Sequence, residues 1–123
     1  MLRDATAYSG IAVIDMTQAR QFYSDTLGLR TSEEYGLMWL HHPGGRDTLI
    51  YEQPEATAAS YTVLNFEVQD IDEAVAFLRS RNVTPEVYAG LNQDESGVFR
   101  DEGPYIVWFR DPSGNVLSML QER

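Results

Sequence analysis

Residues 37–52, LMWLHHPGGRDTLIYE, return as residues 106–121, IVWFRDPSGNVLSMLQ, without a gap. At an offset of 69, Trp39 falls on Trp108, Pro43 on Pro112 and Gly45 on Gly114, while Leu40 meets Phe109 and Ile50 meets Met119. Each copy reads as strand, corner, strand: a β-rich run, Pro followed two residues later by Gly, then a second apolar run. Proline presets one turn dihedral and glycine accepts a positive one, so these two types recur at the corner.

A second repeat lies upstream. Residues 11–23, IAVIDMTQARQFY, match residues 66–78, FEVQDIDEAVAFL, at an offset of 55. Val13 meets Val68, Asp15 meets Asp70, Ala19 meets Ala74 and Phe22 meets Phe77. Two matched blocks in one order mark a duplicated module, and the growth of the offset from 55 to 69 locates an insertion in the second copy. The modules span residues 1–55 and 60–123. Neither is large enough to be comfortable alone, so one domain over 1–123 with a shared core is expected.

Both helices announce their starts. Asp15 precedes Gln18 by three residues and Asp70 precedes Glu73 by the same spacing, a capping-box pattern in which both Asp residues act as caps. The spacing predicts one helix over about 16–27, with Ala19, Phe22, Tyr23 and Leu27 inward, and a second over about 71–81, with Ala74, Phe77 and Leu78 inward. Strands are expected over 8–14, 29–36, through Trp39, through Ile50, from Tyr61, and more weakly over 83–87. Each module then reads βαβββ, an α+β layout of mostly antiparallel sheet. Residues 88–103, YAGLNQDESGVFRDEG, are polar and carry most of the insertion; a loop of this length is commonly functional or mobile.

Composition narrows the function classes. A hydrophobic fraction of 43% and a charged fraction of 23% are those of a water-soluble globule. No apolar run approaches the ~18 residues of a membrane span, and the first ten residues lack the apolar core of a secretory signal. No cysteine is present, so neither disulfides nor thiol chemistry are expected, which fits the cytoplasm. The net charge of −10 argues against a nucleic-acid partner, for nothing supplies the basic patch that phosphates need. The same acidity suits a cationic guest.

FYSDTLGL at 22–29, the Asp70-Ile71-Asp72-Glu73-Ala74 helix start and WFRDPSGNVL at 108–117 resemble the vicinal oxygen chelate superfamily. That superfamily includes glyoxalase I, bleomycin-resistance proteins, fosfomycin-resistance enzymes and extradiol dioxygenases. The resemblance covers nearly the whole chain. It implies paired βαβββ modules forming a curved mixed-sheet cup with the helices outside, and commonly a homodimer. In the metal-dependent members the ligands occupy four strand positions. Two lie seven residues before the helix-capping Asp, here Tyr8 and Val63. The others lie seven after the Asp of the DPxGN corner, here Ser118, and at its repeat partner Leu49. None is His, Glu, Gln or Asp, whereas a divalent ion wants imidazole or carboxylate from several of these positions. The usual metal site is therefore expected to be missing, and no cofactor is assigned.

His41 and His42 sit beside the Pro43 corner. As strand neighbours they point to opposite faces, so they are expected as a solvent-exposed turn pair rather than as one site. Alternation along the Tyr61 strand sets Leu64, Phe66 and Val68 under the second helix and turns Val63, Asn65 and Glu67 into the cup. Glu67, and more weakly Tyr8, are the acid–base candidates; Glu67 equally suits an ion pair with an Arg at the rim. The resemblance implies that Trp108 lines the pocket with Ile106 beside it. The repeat adds Trp39 with Leu37, and Tyr8, Tyr51, Asn65 and Ser118 complete the ligand-binding set. Phe99, Arg100 and Tyr105 are available as a lid. These residues suit a metal-free small-molecule binder of the bleomycin-resistance type, holding an aromatic or amphipathic ligand. The alternative is a lyase or dioxygenase with a non-standard metal site, or a metal-free catalyst using Glu67 or Tyr8.

Overall fold

The computed structural model describes residues 1–123 and divides them into two units, Met1–Thr57 and Ala58–Arg123. The first contains β1 (Ser9–Val13), α1 (Met16–Arg20), β2 (Arg30–Glu34), β3 (Leu37–His42) and β4 (Arg46–Glu52). The second contains β5 (Thr62–Glu67), α2 (Ile71–Ser80), β6 (Tyr105–Arg110) and β7 (Val116–Gln121). Both units are α+β with a mixed sheet. Strand order is β1-β4-β3-β2 in one and β5-β7-β6 in the other, and the first strand runs parallel to the last in each. No helix is long and apolar enough to cross a membrane.

In the first unit, alternation buries one face of the sheet: Ile11, Val13, Met38, Leu40 and Ile50 are closed to solvent, together with Met16, Ala19, Phe22 and Tyr23 of the helical segment. Periodicity suggests a continuous α-helix to residue 27. The structure instead leaves the α-form after Arg20 and continues as a π-helical turn, Gln21–Thr26, closed by Leu27 N–H donating to the Phe22 carbonyl. The wider turn lets the adjacent residues Phe22 and Tyr23 both face inward, where their rings meet edge to face at 5.2 Å. In the second unit the buried face carries Val107, Phe109, Leu117 and Met119 beneath Ile71, Ala74, Val75 and Leu78. Phe77, expected inward, is only half-buried, and the Arg81 guanidinium covers its ring.

The caps are only partly those the sequence suggests. Asp15 accepts from the Gln18 amide, and Asp70 accepts from the Asp72 and Glu73 amides. The first-turn amides of Met16 and Ile71 are instead answered from the end of each sheet. Met16 N–H donates to Glu52 Oε2 and Ile71 N–H donates to Gln121 Oε1, both at 2.8 Å. Glu52 and Gln121 are partners in the repeat, so each module closes its helix start with the last residue of its last strand.

One expectation about the second unit fails for a local reason, and another is narrowed. Residues 83–87 do not form a strand. They run beside β6, but only Glu86 N–H bonds to it, donating to the Trp108 carbonyl at 2.8 Å. The next amide on that side, Tyr88 N–H, donates to the Gln93 side chain instead, so the ladder stops at one rung. The second module is therefore βαββ. Residues 88–103 are held in place rather than left loose. The Gln93 side chain accepts from Tyr88 N–H and donates to the carbonyls of Glu86 and Gly97. The Asp94 carboxylate takes the amides of Ser96 and Val98, the Ser96 hydroxyl and Arg100 Nε. Val98 is buried, and Phe99 exchanges both backbone hydrogen bonds with Ile106.

Candidate functional site

In each unit the sheet face turned away from the helix carries the Trp of the repeat. In the first, Gly10, Leu49 and Trp39 lie in one row across the strands, with Ala12 and Tyr51 in the next. Tyr8 precedes β1 and is 56% exposed; its ring stands edge-on to Trp39 at 4.7 Å. Gly10 packs beside the Tyr51 ring, 3.4 Å from where a Cβ at residue 10 would sit. Tyr8, Trp39 and Tyr51 thus share one aromatic surface, with half-buried Leu37 beside them.

The same face holds a polar chain. His41 Nε2 is hydrogen-bonded to Ser32 Oγ at 2.7 Å and its Nδ1 to Asp47 Oδ1 at 2.9 Å. His42 points the other way and meets Thr48 Oγ1 at 2.9 Å. Burial lowers the His42 pKa, opposed by the attraction of Asp47 and reinforced by the repulsion of His41. The opposite orientations agree with strand alternation. The exposed turn pair does not, for both rings belong to β3, are half-buried, and hold strand partners. Register was the missing signal: the sequence does not say that Ser32 and Asp47 flank His41.

In the second unit, Asn65, Ser118 and Trp108 form one row, and Glu67, Leu120 and Ile106 the next. Asn65 and Glu67 are exposed, as alternation requires. Val63 does not share their row, because β5 is bulged: Thr62 and Leu64 face the consecutive residues Val116 and Leu117 and Val63 is the extra residue between. Ser118 is 1% exposed, and its hydroxyl donates to Asn65 Oδ1 at 2.6 Å. It therefore offers a ligand nothing directly; its role is to orient the Asn65 amide. Trp108 lies between Tyr88, edge-on at 5.6 Å, and Phe99, tilted at 6.5 Å. Burial raises the Tyr88 pKa, with Arg110 opposing and Glu86 adding. Glu67 holds no ion pair; Arg100, on the inserted segment, is bound to Asp94 and Asp72 and covers the Tyr105 ring.

The four positions that the resemblance assigns to a metal carry a phenol, two aliphatic side chains and a hydroxyl already donated to Asn65. No group of three or more His, Cys, Asp or Glu side chains is placed to hold a metal ion. This donor set does not fit the superfamily's divalent ion.

The family model of the Glyoxalase/Bleomycin resistance protein/Dioxygenase superfamily matches residues 5–119. The chain belongs to this superfamily. Among curated proteins none matches. Solved structures with the same fold include a glyoxalase family protein from Enterococcus faecalis, 22% identical over 98% of this chain and 99% of that one, with a TM-score of 0.68. A lactoylglutathione lyase from Agrobacterium tumefaciens is 19% identical over 95% and 93%, with a TM-score of 0.66. A fosfomycin resistance protein from Mesorhizobium loti is 10% identical over 98% and 93%, also at 0.66. At these identities the likeness is one of fold. The superfamily spans chemistries as different as those two names, and its fold does not choose between them.

Proposed function

We propose that this superfamily member binds a small aromatic or amphipathic molecule, a cationic one by preference, without the metal its enzymatic relatives use. The observation that carries the reading is the repeated Trp. Trp39 and Trp108 occupy the same place in the two modules, on the open sheet face, each beside further aromatic rings. Half-buried rings with a few fixed polar groups such as Asn65 suit a small-molecule site, and a net charge of −10 favours a positive guest. The ligand-binding residues in this reading are Tyr8, Trp39, Tyr51, Asn65, Glu67, Ile106 and Trp108, with Ser118 behind Asn65. The working form is a homodimer in the cytoplasm, which sedimentation and fractionation test directly.

Tryptophan fluorescence is the natural assay. The cationic dye thioflavin T should quench it saturably and more tightly than the anionic dye anilinonaphthalene sulfonate. Trp39→Ala and Trp108→Ala should each weaken the cationic dye at least tenfold while leaving the fold intact. A purely structural Trp would instead cost about 3–5 kcal/mol of stability. Absence of saturable quenching by either dye removes the proposal.

One observation favours a second reading. Glu67 is an exposed carboxylate with no ion-pair partner, on the face of Trp108 and next to Asn65, which suits a metal-free acid–base residue in a lyase-like reaction. The oxidoreductase version needs a non-standard metal site. Elemental analysis of tag-free protein after incubation with zinc, iron, nickel and manganese separates these: stoichiometric metal would favour the enzyme.

A further inference from the structure

We propose that Ser32, His41 and Asp47 form a nucleophilic relay on the sheet face of the first unit, which takes the acyl group of an aryl ester. The connectivity is the basis. A carboxylate only accepts hydrogen bonds, so Asp47 fixes the His41 proton on Nδ1, and the Nε2 lone pair then accepts the Ser32 hydroxyl. A hydroxyl, a base within hydrogen-bond reach and a third group orienting that base constitute an activated nucleophile.

The repeat supplies an internal control. The partners of His41 and Asp47 in the second module are Arg110 and Val116, and there the strand is tied by an ion pair between Arg110 and Glu86. The fold thus does not require the relay. As a strand tie, a half-exposed chain of two side-chain hydrogen bonds contributes only modestly, so stability alone does not account for the choice of residues.

The surroundings define the substrate. Trp39 is directly across from Ser32, and Tyr8 stands edge-on to it, a seat for the aryl ring beside the hydroxyl. β2 is the edge strand of its sheet, so alternate backbone N–H groups on its outer side are unpaired donors for a developing oxyanion. Arg30, exposed and directly opposite His41, adds a cation. A groove of about 400 Å³ lined by Tyr8, Ser9, Gly45, Arg46 and Asp47 borders the relay at its Asp end.

The chemistry closes on itself. Ser32 Oγ adds to the ester carbonyl carbon as its proton passes to His41 Nε2. The bond to the aryl oxygen breaks, and the departing aryloxide takes that proton and leaves as a phenol. Water, deprotonated by His41, then cleaves the acyl-serine to a carboxylic acid and restores the hydroxyl. Ser32 and His41 are the catalytic residues, and Asp47 positions the imidazole. The activity uses the first unit alone and stands whether or not the binding reading does.

The test uses the intact chain, a fluorophosphonate probe and 4-nitrophenyl phenylacetate. The folded protein should take up one equivalent of probe on the peptide carrying Ser32 and release a burst of one equivalent of 4-nitrophenol. Ser32→Ala should abolish both, and His41→Gln should slow labelling about 10²- to 10⁴-fold. Asp47→Asn should slow it at least tenfold, with an unchanged melting curve. Because the chain has no cysteine, Ser32→Cys gives an independent readout. Its alkylation by iodoacetamide should be at least tenfold faster than in the Ser32→Cys, His41→Gln double variant. A folded protein that takes no probe overturns the proposal. So does label on another serine, or a rate indifferent to His41.

Discussion

At the corner after the Trp strand, the first unit has His42-Pro43-Gly44-Gly45 and the second Asp111-Pro112-Ser113-Gly114. The first residue decides what holds the corner. Asp111 is buried, and its carboxylate accepts from the Ser113 amide, the Asn115 amide and the Asn115 side chain, each at 2.9 Å. His42 turns its ring toward Thr48 instead, and two successive glycines at φ 83° and 70° carry the chain round. Both corners share the proline and a glycine at positive φ, Gly45 and Gly114, whereas the positive φ of Gly44 and the buried Asp111 carboxylate each belong to one copy only. Freed of that duty, the corner of the first unit carries the two histidines.

The sharpest way to break this comparison is to delete both corner residues in turn. Asp111→Ala leaves three donors without their acceptor in a buried site and should cost about 3 kcal/mol in urea denaturation. His42→Ala should cost about 1 kcal/mol, and equal losses would mean that the corners are held alike. The helix caps should behave oppositely, as true equivalents. Glu52→Ala and Gln121→Ala should each cost about 1 kcal/mol, with Glu52→Gln nearly neutral. The smallest effect appears only in acid. Burial pushes the Asp94 carboxyl up, but hydrogen bonds from Ser96, the Val98 amide and Arg100 outweigh it and hold the pKa well below the ordinary carboxylate range. The native state then binds this proton less readily than the unfolded chain. The stabilisation is complete above about pH 4 and is lost as the pH falls from there. Asp94→Asn should flatten the dependence of stability on pH between 4 and 2, and a slope identical to wild type would remove Asp94 as its source.

Most of the fold was legible because it rests on local patterns written twice. The offset of 69 paired Trp39 with Trp108 and one corner with the other, and alternation alone turned Asn65 and Glu67 to one face. What escaped depends on register or on long reach. The bulge at Val63 shifts one residue in a run that reads as regular strand. The failure of 83–87 to pair turned on where the next amide goes, Tyr88 N–H to the Gln93 side chain rather than to β6. The Ser32–His41 contact is a diagonal between strands, visible only once Arg30 is known to sit opposite His41. The capping role of Glu52 and Gln121 left one trace in the sequence: two long polar side chains at equivalent places after apolar strands.

That last feature has a kinetic meaning. The donor and acceptor of each closing hydrogen bond are 36 residues apart in one module and 50 in the other. A nascent chain can wind either helix only once the residues behind its Asp cap have emerged, and its first amide stays unanswered until the final strand of that module has been made and paired. Each module should thus gain its full protection against amide exchange in one late step, and the second, with the longer loop to close, should gain it more slowly.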